Sequence, residues 1–348
     1  MQTAFIGDVI LTEPLIANTR LQFPEAEIDV LVIPATANLL ETHPDVRRVV
    51  VYDKRGRDRG IRALFRLVRL IRRQRYDLAL VPHRSLRSAI LVYAAGIPKR
   101  VGFETSAGKL LLNVRVPYRE THEVCRNLEL LVPFGAQPVY QVPRVHCTEA
   151  DHARAASILG ERRRAWVAIA PGSVWLTKRW PLERFVELAA RLTQELDVQI
   201  VLIGGPRDAA LAEPFENALG DRCTNLMGRL TLRESVAVLR RCPVAISNDS
   251  APTHMAVAAG SRVITIFGAT VPRFGFYPYG SRHRVIETEQ NLDCRPCGIH
   301  GGNRCPTGTF ECMRSITVEQ VFQAAKELLN DAALPGADTK ENHTAGQI

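Results

Sequence analysis

Short runs of β-branched and aliphatic residues alternate along this chain with longer stretches whose apolar positions recur every three to four residues. That alternation is the signature of βαβ units, which build a parallel sheet with helices on its faces. In the first half the pattern predicts strands over 28–33, 46–51 and 78–81, and helices over 11–21, 61–74 and 85–94. The same rhythm restarts in the second half. Strands are expected over 166–170, 198–203, 244–247 and 263–267, with helices over 181–195, 207–219, 232–241 and 252–259. Residues 135–145 are proline-bearing and aperiodic, which suits a connection between domains. A helix over 151–159 leads into the second half and one over 317–330 closes it. The expected organisation is therefore an α/β domain over 1–145, a second over 146–330, and a tail over 331–348. That tail is nearly devoid of apolar residues from Leu334 on, so it is expected to be disordered.

The opening is unusual. Thr3-Ala4-Phe5-Ile6 looks like the end of a strand that has lost its beginning, because a buried parallel strand normally runs about four to eight apolar residues. A translation start upstream of Met1 is the expectation.

Composition sharpens the picture only in part. At 348 residues the chain exceeds what one core usually supports, in line with two domains. With 46% hydrophobic and 23% charged residues it has the make-up of an ordinary globular protein. No run approaches the ~20 apolar residues of a membrane-spanning helix. The opening also lacks a charged stretch followed by an apolar one, so a cytoplasmic location is expected. A net charge of +9 favours an anionic partner. Nucleic acid, an anionic membrane surface and a phosphorylated glycolipid satisfy it equally.

In open α/β sheets, ligands bind at the carboxyl ends of strands, beside helix N-termini whose free N–H groups attract anions. Three segments fall at such places. Gly7-Asp8, followed by Leu11-Thr12-Glu13-Pro14, opens the N-terminal domain, and Asp8 suits either a general base on an acceptor hydroxyl or a helix cap. Pro171-Gly172-Ser173, then Thr177-Lys178-Arg179-Trp180-Pro181, sets hydroxyls and two cations between a strand and a helix. Those groups fit a diphosphate or a solvated basic loop, and the glycine spacing is not that of a Walker loop. Ser247-Asn248-Asp249-Ser250-Ala251-Pro252-Thr253-His254 ends a strand and opens a helix. There Asp249, Ser250 and the N–H groups behind them form an anion site that His254 can face, or a cap with an incidental histidine.

Taken together, the ordered set resembles the bacterial lipopolysaccharide heptosyltransferases of glycosyltransferase family 9, closest to the heptosyltransferase II branch. The resemblance runs from Phe5 to about Ala325 and rests on Phe5-Ile6-Gly7-Asp8-Val9-Ile10-Leu11-Thr12, on Pro171-Gly172-Ser173 with Lys178-Arg179-Trp180-Pro181, and on Asn248-Asp249-Ser250 with His254. It implies a GT-B fold of two Rossmann-like domains facing across a cleft, the first for the acceptor and the second for the nucleotide-sugar. It further implies inverting transfer of heptose from ADP-heptose to the lipopolysaccharide inner core, with no cofactor or metal required for catalysis. Asp8 would then be the catalytic base. Ser173, Thr177, Lys178, Asp249, Ser250, Ala251 and His254 would bind the donor; Ala251 stands where some relatives carry glycine. Asp208 and the Leu226-Met227-Gly228 stretch are weaker donor contacts. The partners implied are ADP-heptose, the lipopolysaccharide core and the inner-membrane surface, with no nucleic acid, and the enzyme would be cytoplasmic and peripheral to that membrane.

Two features lie outside those motifs. Arg59, Arg62, Arg66, Arg69 and Arg73 recur at helical spacing opposite Leu64, Leu67, Val68 and Ile71. They form a stripe for anionic headgroups or a solvated face. Cys294, Cys297, Cys305 and Cys312 sit in a Gly- and Pro-rich stretch, where a structural metal and free or redox-variable thiols are both open readings. A related transferase with another nucleotide-sugar or acceptor, a sugar-nucleotide epimerase, and a non-catalytic membrane-docking module are the competing functions.

Overall fold

Parallel strands built from aliphatic runs need helical crossovers, and the chain supplies one after nearly every strand. The computed structural model describes residues 1–161 and 164–333. Eleven strands lie among them: β1 (Ile28–Val32), β2 (Val46–Val51), β3 (Leu78–Val81), β4 (Lys99–Phe103), β5 (Val114–Val116), β6 (Trp166–Ala170), β7 (Gln199–Leu202), β8 (Cys223–Asn225), β9 (Val244–Asn248), β10 (Arg262–Phe267) and β11 (Arg284–Glu287). Every pairing among them is parallel. The chain divides into two compact units, Met1–His146 and the part that begins at Cys147.

The second unit holds one six-stranded sheet in the order β11-β10-β9-β6-β7-β8. Numbered within the unit this is the doubly wound order of a Rossmann fold, whose direction of winding reverses between its first and fourth strands, here β6 and β9. All residues of β6 and β9 are buried, as sheets covered on both faces require. Helix Leu182–Glu195 lays Phe185, Leu188 and Leu192 on Val167, Ile169 and Ile200, and helix Val318–Ala333 adds Val321, Phe322 and Leu328 to the same core. The last helix runs through Ala333, so residues 331–333 are helical rather than part of a tail; the expectation for residues 334–348 lies outside the described residues.

The first unit holds two separate sheets, β1-β2 and β3-β4-β5. The expected strand remnant over 3–6 is not a strand, and a helix already begins at Ile6. Only the first two residues engage the sheets, through the Met1 ammonium to Leu80 O at 2.7 Å and Gln2 N–H to Leu31 O at 2.9 Å. The helix expected over 11–21 is two, Ile6–Leu11 and Glu13–Gln22, parted at Thr12, whose hydroxyl donates back to Asp8 O. Helix Ile61–Arg73 buries Ala63, Leu67 and Ile71, as its period requires. Arg59 precedes the Gly60 cap and so stands off the helix, while Arg62, Arg66, Arg69 and Arg73 are exposed along it. Among the described residues no helix is long and apolar enough to cross a membrane.

Buried basic groups crowd the start of this unit. Burial lowers the Met1 ammonium to about 5. Burial, with the charges of Lys54 and the amino terminus, lowers His83 to about 4. Both values lie below those of the unfolded chain, so unfolding takes up protons as pH falls. Stability is therefore lost from pH 8.0 downward, more steeply below 6.5, and nothing is gained above pH 8.0. Melting of this chain is expected to shift down in temperature between about pH 8 and pH 5, with N-terminal acetylation removing the upper part of the shift; a flat series contradicts this assignment.

Candidate functional site

The carboxyl ends of β6 and β9 are where a doubly wound sheet opens a crevice for ligands. Two of the three segments singled out in the sequence emerge there. Asn248, fully buried at the end of β9, welds them together: its Nδ2 donates to Pro171 O at 2.8 Å and its Oδ1 accepts from Trp180 N–H at 3.0 Å. Trp180 is itself anchored through Nε1 to Ile316 O at 3.0 Å. Asn248 therefore fixes the relative position of Ser173 and Lys178 and the Asp249 turn. The sequence reading gave it no role of its own.

Lys178 and Asp249 meet. The ammonium Nζ lies 2.5 Å from Asp249 Oδ2, and Thr270 Oγ1 donates to that same oxygen at 2.5 Å. Asp249 thereby aims the lysine, whose other N–H bonds remain for a ligand. Helix Ala251–Ala259 starts beside this pair with Pro252 in its first turn. The Ser250 hydroxyl turns back to Asn248 O, and no side chain caps the helix. Such a start presents its N–H groups and the positive end of its dipole to an anion. Ala251 is its first residue.

His254 completes the cluster. Burial first, and the Lys178 charge second, lower its pKa to about 3, so the ring is neutral at physiological pH. Its Nδ1 is buried and, among the described residues, has no hydrogen-bond partner. A buried polar atom without a partner is costly unless a ligand satisfies it. A neutral imidazole beside a lysine and a helix start is suited to hydrogen-bond a phosphate or sugar oxygen without competing for a proton.

The other expected contacts also carry bonds within the protein. Ser173 is buried, and its carbonyl accepts both Nε and Nη2 of Arg179, at 2.8 and 2.6 Å. Thr177 Oγ1 donates to Gly302 O at 3.0 Å and accepts Gly302 N–H at 2.8 Å, so its hydroxyl holds the cysteine-bearing loop. Asp208 caps its own turn through Gly205 N–H at 2.9 Å. It also lies so close to the Gly172 backbone that a Cβ there would meet Oδ1 at 2.3 Å, so a side chain at 172 would displace the Asp208 carboxylate. Leu226 and Met227 are buried, Met227 within the main core.

In the first unit, Asp8 sits in the first turn of helix Ile6–Leu11 and its Oδ2 accepts Phe5 N–H at 3.2 Å. The capping reading is thus realised. Its surroundings escaped the sequence reading. Burial raises the Glu123 carboxyl to about 7 against the pull of Arg126, with Asp8 adding to the rise. Arg84 and Arg126 stack over the Tyr118 ring at 4.1 and 4.2 Å. The Asp8 neighbourhood is therefore a dense set of acids and guanidiniums. Glu123 and Arg126, three residues apart on one helix, are almost fully buried and paired, as buried charges usually are; their burial is visible only in the fold.

The four cysteines gather without forming a centre. Among the described residues, the group of three or more metal-binding side chains with ligand atoms within 4.8 Å of one another is Glu13, His43 and His146, not the cysteines. In that group Asp45 N–H donates to His43 Nδ1 at 3.1 Å, so the ring proton resides on Nε2, which faces Glu13 Oε1 at 3.4 Å. Glu13 Oε2 takes Arg144 N–H at 2.8 Å, tying the end of the first unit to its second helix. A protonated Nε2 is no metal ligand. The cysteine loop is nonetheless polarised. Against desolvation, hydrogen bonds from Thr307 and from backbone N–H groups including Phe310 bring Cys305 down to about 7, while burial pushes Cys312 up to about 11.

A Rossmann unit with a lysine, a bare helix start and a neutral histidine at its winding reversal defines an α/β protein with a crevice suited to an anion. Comparison with known proteins narrows the class. The sequence pattern of glycosyltransferase family 9 (heptosyltransferase) matches residues 64–299, and the chain belongs to that family. It is 25% identical to the lipooligosaccharide heptosyltransferase 2 of Haemophilus influenzae over 94% of this chain and 97% of that one. The crystal structure of a family 9 glycosyl transferase from Veillonella parvula superposes with a TM-score of 0.84 at 23% identity, covering 95% of this chain and 96% of that one. E. coli ADP-heptose lps heptosyltransferase II superposes at 0.77 with 25% identity, covering 95% and 98%. The fold is GT-B, built from Rossmann-like parallel-sheet units, and the protein is a glycosyltransferase of the lipopolysaccharide heptosyltransferase family.

Thr177→Val keeps the shape of the side chain and deletes both hydroxyl bonds to Gly302, at a cost of about 1–3 kcal/mol. Cys294, Cys297 and Cys305 are then expected to react several-fold faster with a thiol reagent, and unchanged rates would disprove the clamp.

Proposed function

We propose that the protein moves a heptose from ADP-heptose onto the inner core of lipopolysaccharide with inversion at the anomeric carbon. The observation that carries this reading is the Lys178–Asp249 pair at the bare start of helix Ala251–Ala259, beside the unpartnered Nδ1 of a neutral His254. In this reading the second unit binds the donor. Lys178, Ser250 and the N–H of Ala251 hold the diphosphate, Ser173 and His254 contact neighbouring oxygens, and Asp249 and Thr177 position the lysine and its loop. The first unit binds the acceptor. Asp8 takes the proton of the acceptor hydroxyl as that oxygen attacks the anomeric carbon. The bond to the diphosphate breaks and ADP leaves with the electron pair, its growing charge offset by Lys178 and the helix start. No metal is needed, because fixed donors already face the charge that develops.

Exposed Ile61 and Phe65 beside Arg62, Arg66 and Arg69 on one helix support docking on an anionic membrane surface from the cytoplasmic side, where a lipid-linked acceptor is reached. The reading also includes a structural metal on Cys294, Cys297, Cys305 and Cys312. The lowered Cys305 thiol supports it, and binding requires the four sulfurs to draw together and Cys312, raised to about 11 by burial, to lose its proton. One equivalent of zinc or iron is expected in anaerobically prepared protein, and metal-free preparations of full stability would dismiss it.

Asp8→Asn is expected to lower kcat by about a hundred- to ten-thousandfold while ADP affinity is kept. Lys178→Ala is expected to weaken ADP binding by about ten- to a hundredfold, the worth of a charge-assisted contact. Full turnover in the first variant, or unaltered nucleotide binding in the second, would overturn these roles.

A further inference from the structure

The helix that carries Asp8 packs on a second short helix, Glu123–Leu128, and the two are tied from within. Asn127, fully buried, donates through Nδ2 to Leu11 O at 3.1 Å. Glu123 stands four residues before Asn127, and Asp8 stands three before Leu11, so each pair shares one face of its helix. Those steps rise by about 6 Å and about 4.5 Å. The charge of Asp8 is felt at Glu123. The two acids therefore stand at one end of the helix pair, and Asn127 with Leu11 ties the other.

Glu123 has a rigid seat there. It is 6% exposed, and its partner Arg126 is 1% exposed. The Arg126 guanidinium donates through Nη1 to Glu123 Oε2, through Nε to Arg119 O at 3.0 Å and through Nη2 to Thr121 O at 2.6 Å. With all three nitrogens engaged and its face on the Tyr118 ring at 4.2 Å, it cannot follow a moving carboxylate. His122 fixes the start of the helix, its Nδ1 accepting Val124 N–H at 3.1 Å. Other charges nearby are turned elsewhere: Arg119 to Glu129, and Glu13, on the neighbouring helix Glu13–Gln22, to His43 and the Arg144 N–H. The groups that face Glu123 are Arg126, Arg84, Tyr118 and Asp8, and Asp8 is the one carboxylate among them.

A carboxylate that only anchored an arginine would stay ionised well below neutral pH. Burial instead sets Glu123 at about 7, so its charge changes across the physiological range. Coupling between two acids is mutual. The charge on Asp8 helps Glu123 keep its proton, and an ionised Glu123 favours a proton on Asp8 in return. An ionised Glu123 also cancels the Arg126 charge, which pulls the other way. Protonated, it leaves that charge unopposed.

We propose that Glu123 is a positioning residue for the transfer reaction: its carboxylate, locked on Arg126, raises the proton affinity of Asp8 and strengthens the base that receives the acceptor proton. The inference rests on Asp8 acting as that base.

The test follows kcat and ADP affinity from about pH 5.5 to about pH 9 in the parent protein and in Glu123→Gln, Glu123→Asp and Asp8→Asn. In the parent, kcat is expected to climb about three- to tenfold through about pH 7. Glu123→Gln is expected to lose that climb and stay at the acid-side rate with unchanged ADP affinity, and Glu123→Asp to restore it. A purely structural Glu123 would scale kcat down equally at every pH and keep the climb. That result, or a parent profile with no climb near pH 7, overturns the proposal. Should the Arg126 charge left behind unfold Glu123→Gln, Arg126→Gln is added so that the buried pair is removed together. A climb that survives in that double variant overturns the proposal equally. Full turnover in Asp8→Asn is a different failure, that of the base itself.

Discussion

The ion pair between Lys178 and Asp249 is the constraint around which the second unit is arranged. A lysine is a flexible point charge, and a carboxylate beside it fixes where that charge sits. Here the carboxylate is held in turn by Thr270, the lysine follows a turn locked by Asn248 and Trp180, and the whole rests on the carboxyl ends of β6 and β9. Removing either charge strands the other in largely buried surroundings, which costs more than the pair contributes. The arrangement makes sense as preparation for an anion that accepts what Lys178 and the helix start at Ser250 offer.

From that pair the roles of neighbouring groups follow. His254 lies within the field of Lys178 and is buried, so it stays neutral. Thr177 and Gly302 bring the cysteine-bearing loop against the lysine, and Arg295 braces the same region by donating to Gly268 O and Thr270 O and pairing with Glu287. A loop far along the sequence is thus part of what holds the lysine, the link between packing and function in this unit. In the first unit a comparable density of charge surrounds Asp8, with Glu123, Arg126 and Arg84 gathered about Tyr118.

Periodicity made the long elements legible. The buried strands Trp166–Ala170 and Val244–Asn248, and the helices that cover them, follow from aliphatic runs and 3.6-residue spacing alone. β4, β5, β8 and β11 escaped because they are short and carry Lys, Arg, Thr or Glu at positions where the pattern of a buried strand fails. The motifs of the second unit marked the site, because a polar cluster just after an apolar strand is a local signal. What they did not reveal was the division of labour. The Thr177 hydroxyl bonds with Gly302, and the Ser173 carbonyl takes Arg179, partners that the sequence pattern did not announce. The Arg84–Tyr118–Arg126 stack is illegible for the same reason.

One reaction tests the central claim most directly. The protein is incubated with ADP-heptose and heptose-deficient lipopolysaccharide core, and the products are followed by mass spectrometry with the anomeric configuration read by NMR. The account predicts addition of one heptose to the core, release of one ADP for each, and an anomeric configuration opposite to that of the donor. Retained configuration, or a donor that is bound and never transferred, would contradict it.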